Sequence, residues 1–410
     1  MSLRFLHTAD LHLGSPLKGL GARNPELADL FARASRRAFD ALIDTAIAEK
    51  VAFVVIAGDV YDQDWTDYAI GQTFLRGITR LTRAGIRTVV IRGNHDAEHV
   101  ITRSLVLPEG ITWLGADKPE TVDFADIGVA VHGMSFKTRS VTENMVPRYP
   151  SAVAGRFNIG LLHTSLDGRP DHTGYAPCAI ADLAHRGYGY WALGHIHARE
   201  VVHRADPTVV YAGNIQGRHA RETGAKSATL VTVEGDRVVE LETRAVDAAR
   251  WAAADLDASG LETREDLAAR ARLLLEDVAS KAEGRPVAVR LRLVGQTRLH
   301  QALAADRDRL VADLELAAAG VSETLALERV TTATAPLRAE GPAAPALDDI
   351  DEAFAAALAD PALAATLEAD FALLRTKLPA GVQERLEQEP ADALLAAARA
   401  LLEGRLGETA

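Results

Sequence analysis

VAFVVIAGDVYD, residues 51–62, is an unbroken apolar run that ends on Gly58 and then a carboxylate, Asp59. Such a run, rich in β-branched residues and without polar alternation, reads as a strand buried on both faces, as in sheets covered by other layers. The construction recurs through residues 1–245. Leu3–Thr8 leads into Asp10-Leu11-His12, and Arg87–Ile91 leads into Gly93-Asn94-His95-Asp96. Asn158–His163 ends on a histidine, and Tyr190–Leu193 runs into Gly194-His195-Ile196-His197. Val129–His132 is a further strand candidate. Between them, Leu30–Lys50 and Asp67–Ala84 read as helices, the first with Phe39, Leu42, Ile43, Ala46 and Ile47 at helical spacing. Strands interleaved with helices predict a layered α/β fold with polar clusters at strand ends, where such folds place their sites. Ala228–Val233 and Val238–Thr243, joined by Gly235-Asp236, read as a closing hairpin.

The pattern changes from Trp251 onward. Thr263 and Asp266 form a capping-box signal for a helix through about Glu283. Val287, Val289, Leu291 and Leu293 alternate as one strand face, and Thr324–Thr331 offers another strand. Residues 246–340 are therefore expected to hold a small α/β domain, with a Pro- and Ala-rich linker at Pro336–Pro345. Residues 341–410 read as an Ala-rich helical tail with breakers at Pro361, Pro379, Gly381 and Pro390. In the tail, Ile350, Phe354 and Leu358, then Leu363, Leu367, Phe371, Leu374 and Leu378, and finally Leu394, Leu395, Ala398, Leu401 and Leu402 make apolar stripes.

At 410 residues the chain is long for one domain, and 48% apolar residues can fill a substantial core. One cysteine, Cys178, excludes an intrachain disulfide framework and points to a reducing compartment. Met1-Ser2-Leu3-Arg4 carries no signal-peptide pattern, and no apolar run approaches the ~20 residues that span a bilayer. A cytoplasmic protein without membrane contact is expected. The net charge of −12 is unevenly distributed. Residues 341–410 hold 13 acids and 5 bases, whereas residues 1–245 hold 28 acids and 27 bases. The N-terminal part is thus not set against an anionic substrate.

Singly, each cluster has an ordinary reading. Asp-x-His arises by chance, Asn94-His95-Asp96 is an acceptable turn, and a histidine at a strand end is commonly a hydrogen-bonded core residue. Five clusters in one order, each behind an apolar run, instead read as a metal centre. Carboxylate, imidazole and amide donors without thiolate suit manganese, iron or zinc. Two such ions ~3.5–4 Å apart clamp a phosphate, activate a water and stabilise the attacking and leaving oxygens. In an extended segment residues i and i+2 point the same way, so Asp10 and His12, like His195 and His197, are expected to face one side.

These motifs resemble the calcineurin-like metallophosphoesterase superfamily across residues 3–245. The resemblance implies a layered β-sandwich flanked by helices. It also implies one metal held by Asp10, His12, Asp59 and His197, and another held by Asp59, Asn94, His163 and His195. His95 would protonate the leaving oxygen, with Asp96 orienting its ring. Gly58-Asp59-Val60-Tyr61-Asp62 and the terminal Asp96 resemble the SbcD-type DNA repair nucleases. Three segments are similar to the YhaO-type branch: 7–14, 190–197, and 213–219 with Glu222-Thr223-Gly224 and Lys226. The resemblance implies a capping domain after the core, DNA as substrate, an SMC-like coiled-coil ATPase partner docked by the tail, and a homodimer. Manganese is the expected metal, with iron or zinc as alternatives.

Arg218 and His219 follow a Gly-containing loop and are candidates for binding substrate phosphate, with a surface arginine and a loop histidine as the ordinary alternative. His172 near Tyr175 is read as a solvated loop histidine, and His7 as a packed strand residue. Competing functions are a small-molecule or cyclic-nucleotide phosphodiesterase, and a regulatory subunit whose metals are structural. The extra 165 residues beyond the core disfavour the first, and a non-ligand acid such as His95 disfavours the second.

Overall fold

The computed structural model describes residues 2–15, 25–62, 68–97, 108–166 and 175–337, and scattered positions between 352 and 377. It contains two compact units. The first comprises Met1–Ala253, Val278–Arg290 and Thr324–Glu328.

Twelve strands of this unit form two six-stranded mixed sheets. In chain order they are β1 (Ser2–Thr8), β2 (Phe53–Ala57), β3 (Arg87–Ile91), β4 (Ile111–Trp113), β5 (Glu120–Phe124) and β6 (Val129–Gly133). There follow β7 (Phe157–His163), β8 (Tyr190–Gly194), β9 (Glu200–His203), β10 (Thr208–Tyr211), β11 (Ser227–Glu234) and β12 (Arg237–Ala245). One sheet runs β12-β11-β1-β2-β3-β4 and the other β5-β6-β7-β8-β10-β9. Strands β1 to β4 are parallel, as are β6, β7, β8 and β10; antiparallel strands close both sheets.

The two-faced burial expected of residues 51–57 has a direct cause. Phe53 and Val55 face the second sheet, where they share a core with Phe5, Val89 and Ile91 and with Val131, Ile159 and Leu161. Val54 and Ile56 face the other way and pack with Phe39, Leu42, Phe74 and Ile78 from helices Ala34–Ala48 and Tyr68–Arg83. The second sheet's outer face is covered by Met145, Val146, Tyr149 and Leu183 against Trp191, Leu193 and Tyr211. This is the layered β-sandwich flanked by helices that the sequence resemblance implies.

The long helix expected at Leu30–Lys50 is two helices, Pro25–Ala32 and Ala34–Ala48, parted at Arg33. The periodicity continues across the break, so sequence spacing does not reveal it. Strands β4, β5, β9 and β10 were not expected. They are three to five residues long, and tertiary pairing rather than pattern makes them strands.

The second unit comprises Ala254–Asp277, Leu291–Glu323 and Arg329–Ala410. It holds most of helix Arg264–Lys281, helices His300–Ala305 and Arg307–Ala319, and the later parts of β13 (Arg250–Asp257), β14 (Val287–Thr297) and β15 (Leu325–Pro336). These strands form a sheet in the order β13-β14-β15. Thr263 and Asp266 exchange the reciprocal bonds of a capping box, each backbone N–H reaching the other's side chain at 3.1 Å. The docking stripes expected in residues 341–410 lie outside the described residues. Among the described residues no helix is long and apolar enough to cross a membrane.

Candidate metal centre

The parallel strands of both sheets deliver their C-terminal ends to one place. β1 leads to Asp10 and His12, β2 to Asp59, β3 to Asn94 and His95, β7 to His163, and β8 to His195 and His197. Beyond the end of β1 the chain stays bonded to the segment after β2. Asp10 N–H donates to Gly58 O at 3.0 Å and His12 N–H to Asp59 O at 3.1 Å. Asp10 (φ 50°), His12 (φ 42°), Asp59 (φ 52°) and His195 (φ 98°) all adopt positive φ. Such conformations cost non-glycine residues about 1–3 kcal/mol each, and they cluster at functional sites. Asp10 and His12 do converge on one side, but not through the extended geometry expected of i, i+2 spacing: both sit in left-handed turns.

The donor atoms gather in three overlapping groups, one of them His12, Asp62 and His95. Asp10, His12 and His197 place one ligand atom each within 4.8 Å of one another, and Asp10, Asp59 and His163 do the same. Oδ2 of Asp59 lies 3.8 Å from His12 Nε2 and 3.4 Å from His163 Nε2, so this carboxylate faces a histidine from each of these last two groups. His163 Nε2 also meets Asn94 Oδ1 at 2.9 Å, and its Nδ1 donates to Ala57 O at 2.9 Å. The backbone N–H of His195 donates to both oxygens of Asp10 at 3.1 Å, and its ring packs edge-on against that of His163.

The arrangement fits divalent cations. His12 Nε2 and His197 Nε2 stand 3.1 Å apart. Nδ1 of His197 donates to Glu222 Oε1 at 2.6 Å, and Nδ1 of His12 faces Asp62 at 3.8 Å. With Nδ1 of His197 donating to Glu222, its Nε2 faces His12 Nε2 beside the Asp10 carboxylate, and these three residues could hold a cation. Burial holds His12 neutral, its pKa lowered to about 4. Burial would lift the Asp59 carboxyl, but the charge and hydrogen bond of His163 outweigh it and hold the group well below the usual carboxylate range.

His95 has 21% of its side chain exposed, about as much as His197, and its ring lies edge-on to His12. The carboxylate beside it is not Asp96, which corrects the sequence expectation. Asp96 Oδ2 accepts from Val60 N–H (3.0 Å) and Gly93 N–H (3.2 Å), and Oδ1 accepts from Tyr61 N–H (2.9 Å). Its role is to tie the β2 and β3 loops together. Consecutive side chains in a tight turn point apart, so the residue next to His95 is badly placed to hold its ring. Asp62 does so instead, with Oδ1 3.0 Å from His95 Nδ1. Burial would raise the Asp62 carboxyl, but the neighbouring His12 and His95 rings and the Arg218 charge hold it well below its ordinary value.

Arg218 reaches the site, where Nη2 donates to Asp62 Oδ2 at 2.7 Å and Nε to Ser15 Oγ at 2.9 Å. His219 is more than half exposed, and its Nδ1 accepts from Arg221 N–H at 3.3 Å. Sequence reasoning missed Asp62 and Glu222 as site residues. The Gly58–Asp62 spacing contained the first signal, since Asp62 follows Asp59 by three. Glu222 stands in the Glu222-Thr223-Gly224 segment that carries the resemblance, but its role does not follow from it, since Glu222 meets His197 only through the fold. His172 lies outside the described residues. His7 is buried, its Nδ1 2.9 Å from the Tyr190 hydroxyl.

The profile of the calcineurin-like phosphoesterase family matches residues 3–199, and that of the middle domain of metallophosphoesterase YhaO matches residues 251–335. The chain is 36% identical over 302 residues to the uncharacterized metallophosphoesterase YhaO of Bacillus subtilis, covering 72% of each. It is 27% identical over 246 residues to the DNA double-strand break repair protein Mre11 of Sulfurisphaera tokodaii, covering 57% of this chain and 60% of that one. It is also 27% identical over 269 residues to a subunit of the SbcCD nuclease of Bacillus subtilis, covering 56% and 66%. With its ligand-bearing strand ends, its sandwich and these relatives, the chain belongs to the calcineurin-like phosphoesterases, a family of metal-dependent hydrolases.

Proposed function

We propose that this metallophosphoesterase is a two-metal DNA phosphodiesterase, nuclease in type. The observation that carries the reading is His95: a partly exposed imidazole, 3.0 Å from the Asp62 carboxylate, that joins His12 and Asp62 rather than the groups built on Asp10, Asp59, His163 and His197. A site that only stabilised the fold would have no use for such an acid. In this reading Asp10, His12, Asp59 and His197 hold one ion, and Asp59, Asn94, His163 and His195 hold the other, with Asp59 shared. When bound, the two cations clamp the phosphate and activate the attacking water. Asp62 takes the Nδ1 proton of His95 as a hydrogen bond, which aims Nε2–H outward to protonate the leaving oxygen. The donor set suits manganese, iron or zinc, and manganese is the ion proposed.

DNA as substrate is supported by relatives named as a nuclease and as a double-strand break repair protein. An SMC-like coiled-coil ATPase partner, docked by residues 341–410, and a homodimer are proposed on the same resemblance. The test is incubation of the purified, manganese-loaded protein with labelled DNA and bis-p-nitrophenyl phosphate side by side. Cleavage of both supports the nuclease reading. Hydrolysis of the small diester alone would make the chain a small-molecule phosphodiesterase. Turnover of neither by a metal-loaded protein would leave a regulatory subunit.

A further inference from the structure

We infer that Arg218 is a positioning residue for the acid His95, acting through Asp62, rather than a contact for substrate phosphate. The inference rests on the reading of His95 as the general acid.

The geometry divides the two oxygens of Asp62. Oδ1 faces His95 Nδ1 at 3.0 Å, and Oδ2 accepts from Arg218 Nη2 at 2.7 Å. A second imidazole competes for Oδ1, since His12 Nδ1 lies 3.8 Å from the same atom. Without a partner on Oδ2, rotation of the carboxylate would bring it toward His12 and release His95. The guanidinium prevents this because its donors form a rigid planar fork: while Nη2 holds Asp62, Nε donates to Ser15 Oγ at 2.9 Å. Two of its edges are thereby occupied by protein.

The loop that carries Arg218 is itself fixed. The Arg218 N–H and the Asn214 side-chain amide both donate to Glu222 Oε2 at 2.7 Å, while the other oxygen of Glu222 holds His197 Nδ1. Gly217 O accepts from the buried Trp251 indole at 2.9 Å. A chain of contacts thus runs from His197 through Glu222 and Arg218 to Asp62 and His95. A loop tied at both ends to the metal centre is built to hold geometry, whereas a residue that captures phosphate keeps its donors open.

The experiment uses the full-length, manganese-loaded protein and a series of methyl aryl phosphodiesters whose leaving phenols range from p-nitrophenol to unsubstituted phenol. Arg218→Ala should keep both metals by elemental analysis and keep KM within about twofold. Its kcat should fall on the order of 10- to 100-fold for the phenol, as expected of a misplaced catalytic group, and less for p-nitrophenol. In the His95→Ala background the same substitution should add little, because the two act as one unit. Arg218→Lys, which keeps charge but loses the fork, should fall between wild type and Arg218→Ala. A raised KM with unchanged kcat, an equal loss across leaving groups, or full additivity with His95→Ala would overturn the inference and leave the acid reading intact. If His95→Ala itself showed no dependence on leaving group, both would fall together. Should Arg218→Ala lose its metals, the same split measured on Arg218→Lys decides.

Discussion

Asp59 is the residue on which the metal assignment turns, because Oδ2 faces His12 and His163 at once. Asp59→Ala should therefore deplete both ions; elemental analysis finding two full sites in that variant would contradict the shared role. His95→Ala should keep its metals and lose about 10²–10⁴-fold in rate on a diester with a poor leaving group. An undiminished rate there would remove it as the acid. Metal uptake should also be pH-dependent. Burial would lower the His163 pKa, but the charge and hydrogen bond of Asp59 override it and push it up to about 9 in the metal-free protein. His197 is likewise raised, against burial, by Glu222. His163 carries a proton at neutral pH that a cation must displace, so affinity should rise with pH up to about 9, with protons released on binding. Calorimetry at pH 7 in buffers of different ionisation enthalpy reads that release directly, and its absence would refute the assignment. At this scale the ligand types were legible in the sequence. The partner of His95 was not, since Asp62 meets it only after two loops fold together.

At the scale of elements, the approach of β2 to β8 sets how closely the two halves of the ligand set stand. A Cβ on Gly194 would run into Ala57 O, and into His163 Nδ1 at 2.9 Å. A Cβ on Gly93 would run into the Asp59 carboxylate. These glycines look in the sequence like aids to a sharp turn, yet only Gly58 of the three that precede ligands has a positive φ, 97°. Gly93 and Gly194 instead make room for close backbone approach. Gly194→Ala should destabilise the protein by about 1–3 kcal/mol through overpacking and lower its metal content as well. Thermal unfolding with parallel metal analysis tests this, and an unchanged protein on both counts would show that the sheets give way freely. The central strands were readable because each is largely apolar and buried on both faces. The edge strands β4 and β9 are short and only partly buried or exposed, so they left no comparable trace.

For the whole molecule, negative charge is concentrated late in the sequence, with 13 acids and 5 bases in residues 341–410. Binding of DNA by the isolated chain is expected to be weak, and to fall steeply between about 50 and 200 mM salt. Fluorescence anisotropy would show this, and tight, salt-insensitive binding would argue against it. Truncation after Leu337 preserves β15 and removes the acidic tail. The shortened chain should fold, keep its metals and hydrolyse small diesters normally, while losing association with an SMC-like ATPase in co-purification. A truncated chain that unfolded, or still bound that partner, would end the docking proposal.

The sequence by itself determined the alternation of strands with candidate ligands, the layered α/β class and the identities of the candidate metal-binding side chains. These are local properties: a doubly buried strand must be continuously apolar, and a ligand must have the right donor atom. Only the tertiary structure decided which carboxylate serves His95, which residue steadies His197, and where Arg218 spends its donors. Each of those pairs joins residues from different loops, 33 positions apart for Asp62 and His95 and 156 for Asp62 and Arg218. No local pattern encodes such a meeting, because it is the stacking of two sheets with their strand ends together that brings the loops within hydrogen-bonding distance.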